Sequence, residues 1–162
     1  MYRILGVDPG SACTGYGIIA GEGDRFSYVA SDAIVLAKSG ARHEKLRSIF
    51  QALERVIEKH SPTHLAIEDV FYSKNARSSL VLGEARGAAI LAAALRDVPV
   101  FEYSAREVKQ SVTGNGAADK SQVAYMLARI LELGHPPESN DESDALAVAV
   151  CHAFKNREWS VP

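Results

Sequence analysis

Three apolar runs open the chain, at positions 2–8, 14–20 and 25–36. Pro9-Gly10 separates the first two, and Gly21-Glu22-Gly23-Asp24 separates the last two. Short runs rich in Ile, Val and Tyr, bounded by such turn residues, read as strands. The opening is therefore expected to be an antiparallel meander of three strands. The first run ends on Asp8, a carboxylate at the end of an otherwise buried strand. Burying such a charge is unfavourable unless something pairs with it.

The period then changes from two to between three and four. Between Ala41 and His60, the residues Leu46, Ile49, Phe50, Leu53, Val56 and Ile57 form one apolar stripe of a helix. Ser61-Pro62 stops it. His64 to Glu68 is a short strand that again ends in a carboxylate, and after a helix it can run parallel to the first. A loop from Phe71 to Arg77 leads into a helix rich in Ala, Leu and Gly, from Ser78 to Leu95. Pro99 to Tyr103 is the fifth strand. Two helices flank the loop Gly114-Asn115-Gly116-Ala117, the second with Val123, Met126, Leu127, Ile130 and Leu131 on one face. After His135-Pro136-Pro137, a last helix is expected from Asn140 to Lys155. The order predicts an α/β protein, with a mixed five-stranded sheet flanked by helices. No repeat or linker divides it, so 1–162 is expected to be one domain with a short tail from about 156.

Composition narrows the classes without choosing among them. A chain of 162 residues, 47% hydrophobic and 23% charged, is long enough for a substantial core. No run approaches the ~20 apolar residues of a membrane span. Cys13 and Cys151 lie too far apart for a metal or redox motif, which suits a reducing cytoplasm. A net charge of −2 does not advertise a nucleic-acid binder. Nor does it exclude one, because an acidic centre can offset a basic groove.

The acids carry the chemistry. The last helix opens Ser139-Asn140-Asp141-Glu142-Ser143-Asp144, with Ser139 and Glu142 spaced as a capping box. Asp141 alone reads as a first-turn acid favouring the helix dipole. Asp144 lies on the stripe of Ala147, Val148 and Cys151, which should face the core, and Asp141 precedes it by one turn on that face. Asp8 and Glu68 would be neighbours if their strands are parallel. Clustered carboxylates repel one another and want a cation. Hard oxygen donors suit Mg²⁺ or Mn²⁺, and a pair of such ions can hold a phosphate and activate water.

Beside these acids stand residues with ordinary alternative explanations. Phe71 and Tyr72, next to Lys74 and Arg77, can stack on an unpaired base while the cations hold phosphate. An aromatic just past a strand also simply covers the core. Lys109 and Lys120 flank the Gly114–Gly116 loop, and solvent-facing lysine is the default for both. Asp69 should point to the opposite face of its strand from Glu68 and is not counted as a ligand.

The segments Leu5-Gly6-Val7-Asp8-Pro9-Gly10-Ser11, Thr14-Gly15-Tyr16-Gly17 and Ala66-Ile67-Glu68-Asp69-Val70-Phe71 resemble the RuvC Holliday-junction resolvases. So do Leu82-Gly83-Glu84-Ala85-Arg86-Gly87, Val108-Lys109-Gln110, Asp119-Lys120-Ser121-Gln122-Val123 and Asp144-Ala145-Leu146-Ala147, all in the family's order. The resemblance implies a ribonuclease H-like fold. It also implies a Mg²⁺-dependent homodimeric endonuclease that makes paired nicks in a four-way DNA junction during recombination and repair. The family's catalytic, metal-binding acids fall on Asp8, Glu68, Asp141 and Asp144, expected to hold two Mg²⁺ per subunit, with Mn²⁺ able to substitute. Phe71 falls on the position for base contact near the crossover. Lys120 and Lys109 fall on basic positions at the active site and on the DNA path, and Lys120 would neutralise charge in the transition state. Arg77 and Asn115 fall where the family is expected to vary. Association with a branch-migration complex of the RuvA and RuvB type is implied by the same resemblance, and the Gly- and Ala-rich helix from Ser78 permits close approach of a second copy.

Three other functions compete. A sugar-kinase or actin-type ATPase also opens on an aspartate and a Gly-rich hairpin, but needs a second domain to close over nucleotide. An RNA-processing protein of the same fold would keep the acids. A non-catalytic junction-binding module would not need all of them.

Overall fold

The computed structural model describes residues 2–23, 25–69 and 75–156. The elements are β1 (Tyr2–Asp8), β2 (Cys13–Glu22), β3 (Arg25–Val35), α1 (Arg42–His60), β4 (His64–Glu68), α2 (Ala76–Ala94), β5 (Val100–Tyr103), α3 (Ala105–Thr113), α4 (Lys120–Ile130) and α5 (Asn140–Lys155). The five strands lie in the order β3-β2-β1-β4-β5. The β1–β2 and β2–β3 pairs are antiparallel, and β1–β4 and β4–β5 are parallel, so the sheet is mixed.

Strand parity decides which side chains meet which helices. On β1, Leu5 and Val7 face α1 and α2, where they join Ile49, Leu53, Ile57, Ala85 and Ala89. Ile4 faces the other way, into a core with Val108, Val123, Leu127 and Leu146 from α3, α4 and α5. On β4, Leu65 and Ile67 join the first group and Ala66 the second. Asp8 and Glu68 share the parity of Ile4 and Ala66, so both end their strands on the α5 side.

The helix that fills this side is α5. Every residue from Ala145 to Ala153 on it is buried. By contrast, α2 buries Ala85, Ala89, Ala92 and Ala93 but leaves Leu80, Leu91 and Leu95 exposed. The enclosed helix of the fold is therefore α5, and α2 keeps an open face.

Local chemistry sets the helix ends. Ser61 closes α1 at φ 46°, its N–H donating to the Ile57 carbonyl at 2.8 Å, and Pro62 prevents continuation. Ser104 with Glu107, and Asp119 with Gln122, form complete capping boxes at the starts of α3 and α4. At α5 the expected box forms only in half. Ser139 accepts from the Glu142 N–H at 3.2 Å, but no bond returns from Glu142 to the Ser139 backbone. The Glu142 carboxylate instead accepts from the Ser139 hydroxyl and from Ser31.

Candidate active site

The parallel register of β1 and β4 places Val7 opposite Ile67, so Asp8 and Glu68 stand side by side one residue further on. Antiparallel pairing places Gly15 of β2 opposite Asp8. A Cβ on Gly15 would overlap the carbonyl of Asp141, and one on Gly6 would overlap the carbonyl of Ala145. Glycine at these two positions lets the α5 backbone lie directly on the sheet. That close approach brings Asp141 and Asp144 over the ends of the strands that carry Asp8 and Glu68.

The electrostatics show the four acids acting on one another. Burial, then the charges of Glu68, Asp144 and Asp141, push the Asp8 carboxyl up to about 7, against a smaller opposing pull from Lys120. Glu68 is raised by burial and by Asp144, with Lys120 and Lys109 opposing. Asp8, Glu68 and Asp144 share one cleft with Lys109, Lys120 and Val123. Asp141 lies towards the opposite flank, beside Cys13. Burial, and then the charge and hydrogen bond of the Asp141 carboxylate, push the Cys13 thiol up to about 11.

Both lysines are brought to the cleft by their helices, Lys109 half-buried and Lys120 still largely exposed. Lys120 is the first residue of α4, and its Nζ donates to Asp144 Oδ2 at 2.7 Å. That bond raises its proton affinity, so it remains an ammonium. Lys109 is half-buried on α3 and lines the same cleft. Asp69, with the opposite parity to Glu68, turns to the α2 side, where Arg86 lies 3.9 Å away. Arg86 also pairs with Glu102 of β5.

Arg77 stands exposed in the first turn of α2, where its backbone N–H donates to Asn75 Oδ1 at 3.0 Å. Asn115 folds its loop by accepting from the Ala117 N–H at 3.0 Å. Phe71, Tyr72 and Lys74 lie outside the described residues, as does the tail beyond 156. Cys13 was not expected at the site. The signal for it lies in the β1–β2 register, which sets Gly15 against Asp8 and so keeps Cys13 near the same strand end.

Among the described residues, no three His, Cys, Asp or Glu side chains stand close enough together to hold one ion as placed. The donor type nevertheless fits a hard divalent cation. All four acids offer oxygen, and the Asp8 carboxyl, raised first by burial, is raised further by the charges of the other three, which Lys120 opposes. Asp144 is turned onto Lys120.

The profile of the family described as crossover junction endodeoxyribonuclease RuvC matches residues 4–152. A relative of that description from Pseudoalteromonas translucida is 53% identical over 157 residues, covering 97% of this chain and 89% of its own. Another, from Teredinibacter turnerae, is 51% identical over 157 residues, covering 94% of this chain and 88% of its own. Among solved structures, T. thermophilus RuvC in complex with Holliday junction substrate superposes with a TM-score of 0.93 at 30% identity, covering 99% of this chain and 98% of that one. The mixed sheet flanked by helices is thus the ribonuclease H-like fold of that enzyme. This chain belongs to the crossover junction endodeoxyribonuclease RuvC family.

Proposed function

We propose that this protein resolves four-way DNA junctions by paired, metal-dependent phosphodiester hydrolysis during homologous recombination and DNA repair. The observation that carries this reading is the cleft at the sheet end that Asp8, Glu68 and Asp144 share with Lys109 and Lys120, with the charge of Asp141 also acting on Asp8. Membership of the family supports the substrate, as does the likeness to a relative solved with a Holliday junction.

Asp8, Glu68, Asp141 and Asp144 would hold Mg²⁺ or Mn²⁺, two ions per subunit. Ions bound by such a set supply Lewis-acid activation of water and stabilise the leaving oxygen. The chain's own residues do the rest. Lys109 and Lys120 bring positive charge to a cleft whose acids alone would repel a phosphodiester. Buried Val108, Val123 and Ala147 form the apolar wall of that cleft, and an apolar surrounding strengthens charge interactions. Lys120 would oppose charge that develops on the phosphate. Phe71, Tyr72, Lys74 and Arg77 would engage DNA near the crossover, Phe71 by stacking.

Paired nicks require two sites, so we infer a homodimer. Supporting it, Leu80, Leu91 and Leu95 of α2 face solvent on a helix whose exposed Gly83 and Gly87 permit close approach. Light scattering should give twice the 17.5 kDa of one chain. Family membership also supports association with a branch-migration complex of the RuvA and RuvB type in the cytoplasm. No helix among the described residues is long and apolar enough to cross a membrane. The deciding experiment incubates the protein with a four-way DNA junction in chelator, then in Mg²⁺ or Mn²⁺. Paired nicks only with metal are expected. Undiminished cutting in chelator, or a preference for four-way RNA or for ATP, would overturn the proposal.

A further inference from the structure

Glu142 stands between two of the proposed catalytic acids, yet its carboxylate turns away from the cleft. Its Oε2 accepts from Ser31 Oγ at 2.6 Å, and its Oε1 accepts from Ser139 Oγ at 3.0 Å. The single Ser31 hydroxyl hydrogen is used on Glu142. The 3.2 Å contact between Tyr28 Oη and Ser31 Oγ is therefore donated by the tyrosine. A chain of hydrogen bonds thus runs from edge strand β3 to the first turn of α5.

We infer that Glu142 is a positioning residue for the reaction, which holds the first turn of α5 and so the approach of Asp141 and Asp144 to Asp8. The inference rests on the reading of those acids as catalytic. Successive helix residues project roughly 100° apart, so a tether on residue 142 fixes the direction in which 141 and 144 point. The first turn of a helix lacks intrahelical acceptors for its N–H groups and is the turn most prone to fray. Burial of Ala145 to Ala153 fixes the body of α5, and the close approach at Gly6 and Gly15 limits its distance from the sheet, but neither holds the half-buried first turn, where Asp141 and Glu142 lie. A charge-assisted bond of 2.6 Å to a sheet residue does. An acid serving only the helix dipole would have no use for Ser31.

The test uses the full chain and the variants Glu142→Ala, Ser31→Ala and Glu142→Gln. Lys155→Ala serves as control, because it removes the 2.5 Å bridge to Glu107 at the far end of α5. Four quantities are read: Mn²⁺ binding to the protein alone, junction binding in chelator, single-turnover nicking in saturating Mn²⁺, and the thermal midpoint. Glu142→Ala and Ser31→Ala should each weaken Mn²⁺ binding about 10- to 100-fold, with a similar fall in nicking and unchanged junction binding. Glu142→Gln should stay near wild type, because its amide oxygen still accepts from Ser31. Lys155→Ala should lower the thermal midpoint alone. Wild-type Mn²⁺ affinity in both Glu142→Ala and Ser31→Ala would overturn the inference. So would equal losses in Glu142→Ala and Glu142→Gln with Ser31→Ala normal, which would assign the effect to charge. If Glu142→Ala does not fold, Ser31→Ala, which keeps the helix cap, decides alone. Asp144→Asn is measured alongside: its normal nicking would defeat the catalytic reading itself, whereas its failure beside normal Glu142 and Ser31 variants would defeat only the positioning role.

Discussion

The carbonyl oxygen of Asp141 lies where a β-carbon on Gly15 would have to stand. Gly15 is also the cross-strand partner of Asp8. One missing side chain thus sets how closely an acid of the last helix approaches the acid of the first strand.

Gly15→Ala should therefore damage activity more than stability. The overlapping atom is backbone, so the first turn of α5 must lift for the methyl to fit. Overpacking of this kind costs about 1–3 kcal/mol. Urea unfolding should show a loss of that size, while single-turnover nicking falls by several orders of magnitude. Wild-type nicking by Gly15→Ala would show that α5 need not lie this close.

The Lys120–Asp144 bridge invites the opposite test. Lys120 is largely exposed, with 61% of its side-chain surface open, and an exposed pair contributes at most about 1 kcal/mol. Lys120→Ala should leave the unfolding midpoint nearly unchanged yet reduce nicking on the order of 100-fold or more, as expected when a charge facing the transition state is lost. A large stability loss with normal turnover would make the bridge structural.

Acid titration separates Asp8 from the rest of the chain. Its carboxyl is pushed from an ordinary 3.8 to about 7 in the folded protein. Between those values the folded chain keeps a proton that the unfolded chain has released. In chelator, the Asp8 contribution to stability is therefore full below 3.8 and is lost as pH rises through 7. His152 acts with the opposite sign. Burial lowers it from 6.5 to about 4, so its contribution is present above 6.5 and is lost as pH falls towards 4. The difference between wild type and Asp8→Asn isolates the first effect. Asp8→Asn should be the more stable protein at pH 8, with the gain shrinking as pH falls. A gain that does not vary with pH would contradict the charge crowding at Asp8.

Much of this arrangement was readable from local pattern. The periods of two and of three to four place β1 at Tyr2–Asp8 and α5 at Asn140–Lys155 in sequence and structure alike. Parity alone turns Asp69 away from Glu68. What local pattern does not encode is which partner wins across the fold. Ser139 and Glu142 have the spacing of a capping box, but Ser31, more than a hundred residues away in sequence, takes one of the carboxylate oxygens and no bond returns to the Ser139 backbone. Solvent is the default for Lys120, yet Asp144 captures its ammonium at 2.7 Å. The glycines of β1 and β2 look like turn or strand glycines until a helix is laid on them.

Phe71 can be tested on its own. Phe71→Ala should weaken junction processing by about 1–3 kcal/mol of lost stacking, with little change in unfolding. Junction binding and nicking are compared with thermal melting. Unfolding of Phe71→Ala with normal activity in the surviving fraction would return this residue to the core.

Asp144→Asn separates DNA binding from chemistry, because it keeps the shape of the side chain and removes one charge and one strong metal ligand. Two quantities are measured: junction affinity in chelator and single-turnover nicking in saturating Mg²⁺. Affinity should be unchanged or slightly improved, since one repulsive charge near phosphate is gone, and nicking should fall by several orders of magnitude. Normal nicking by Asp144→Asn would remove that residue, and with it the last helix, from the catalytic centre.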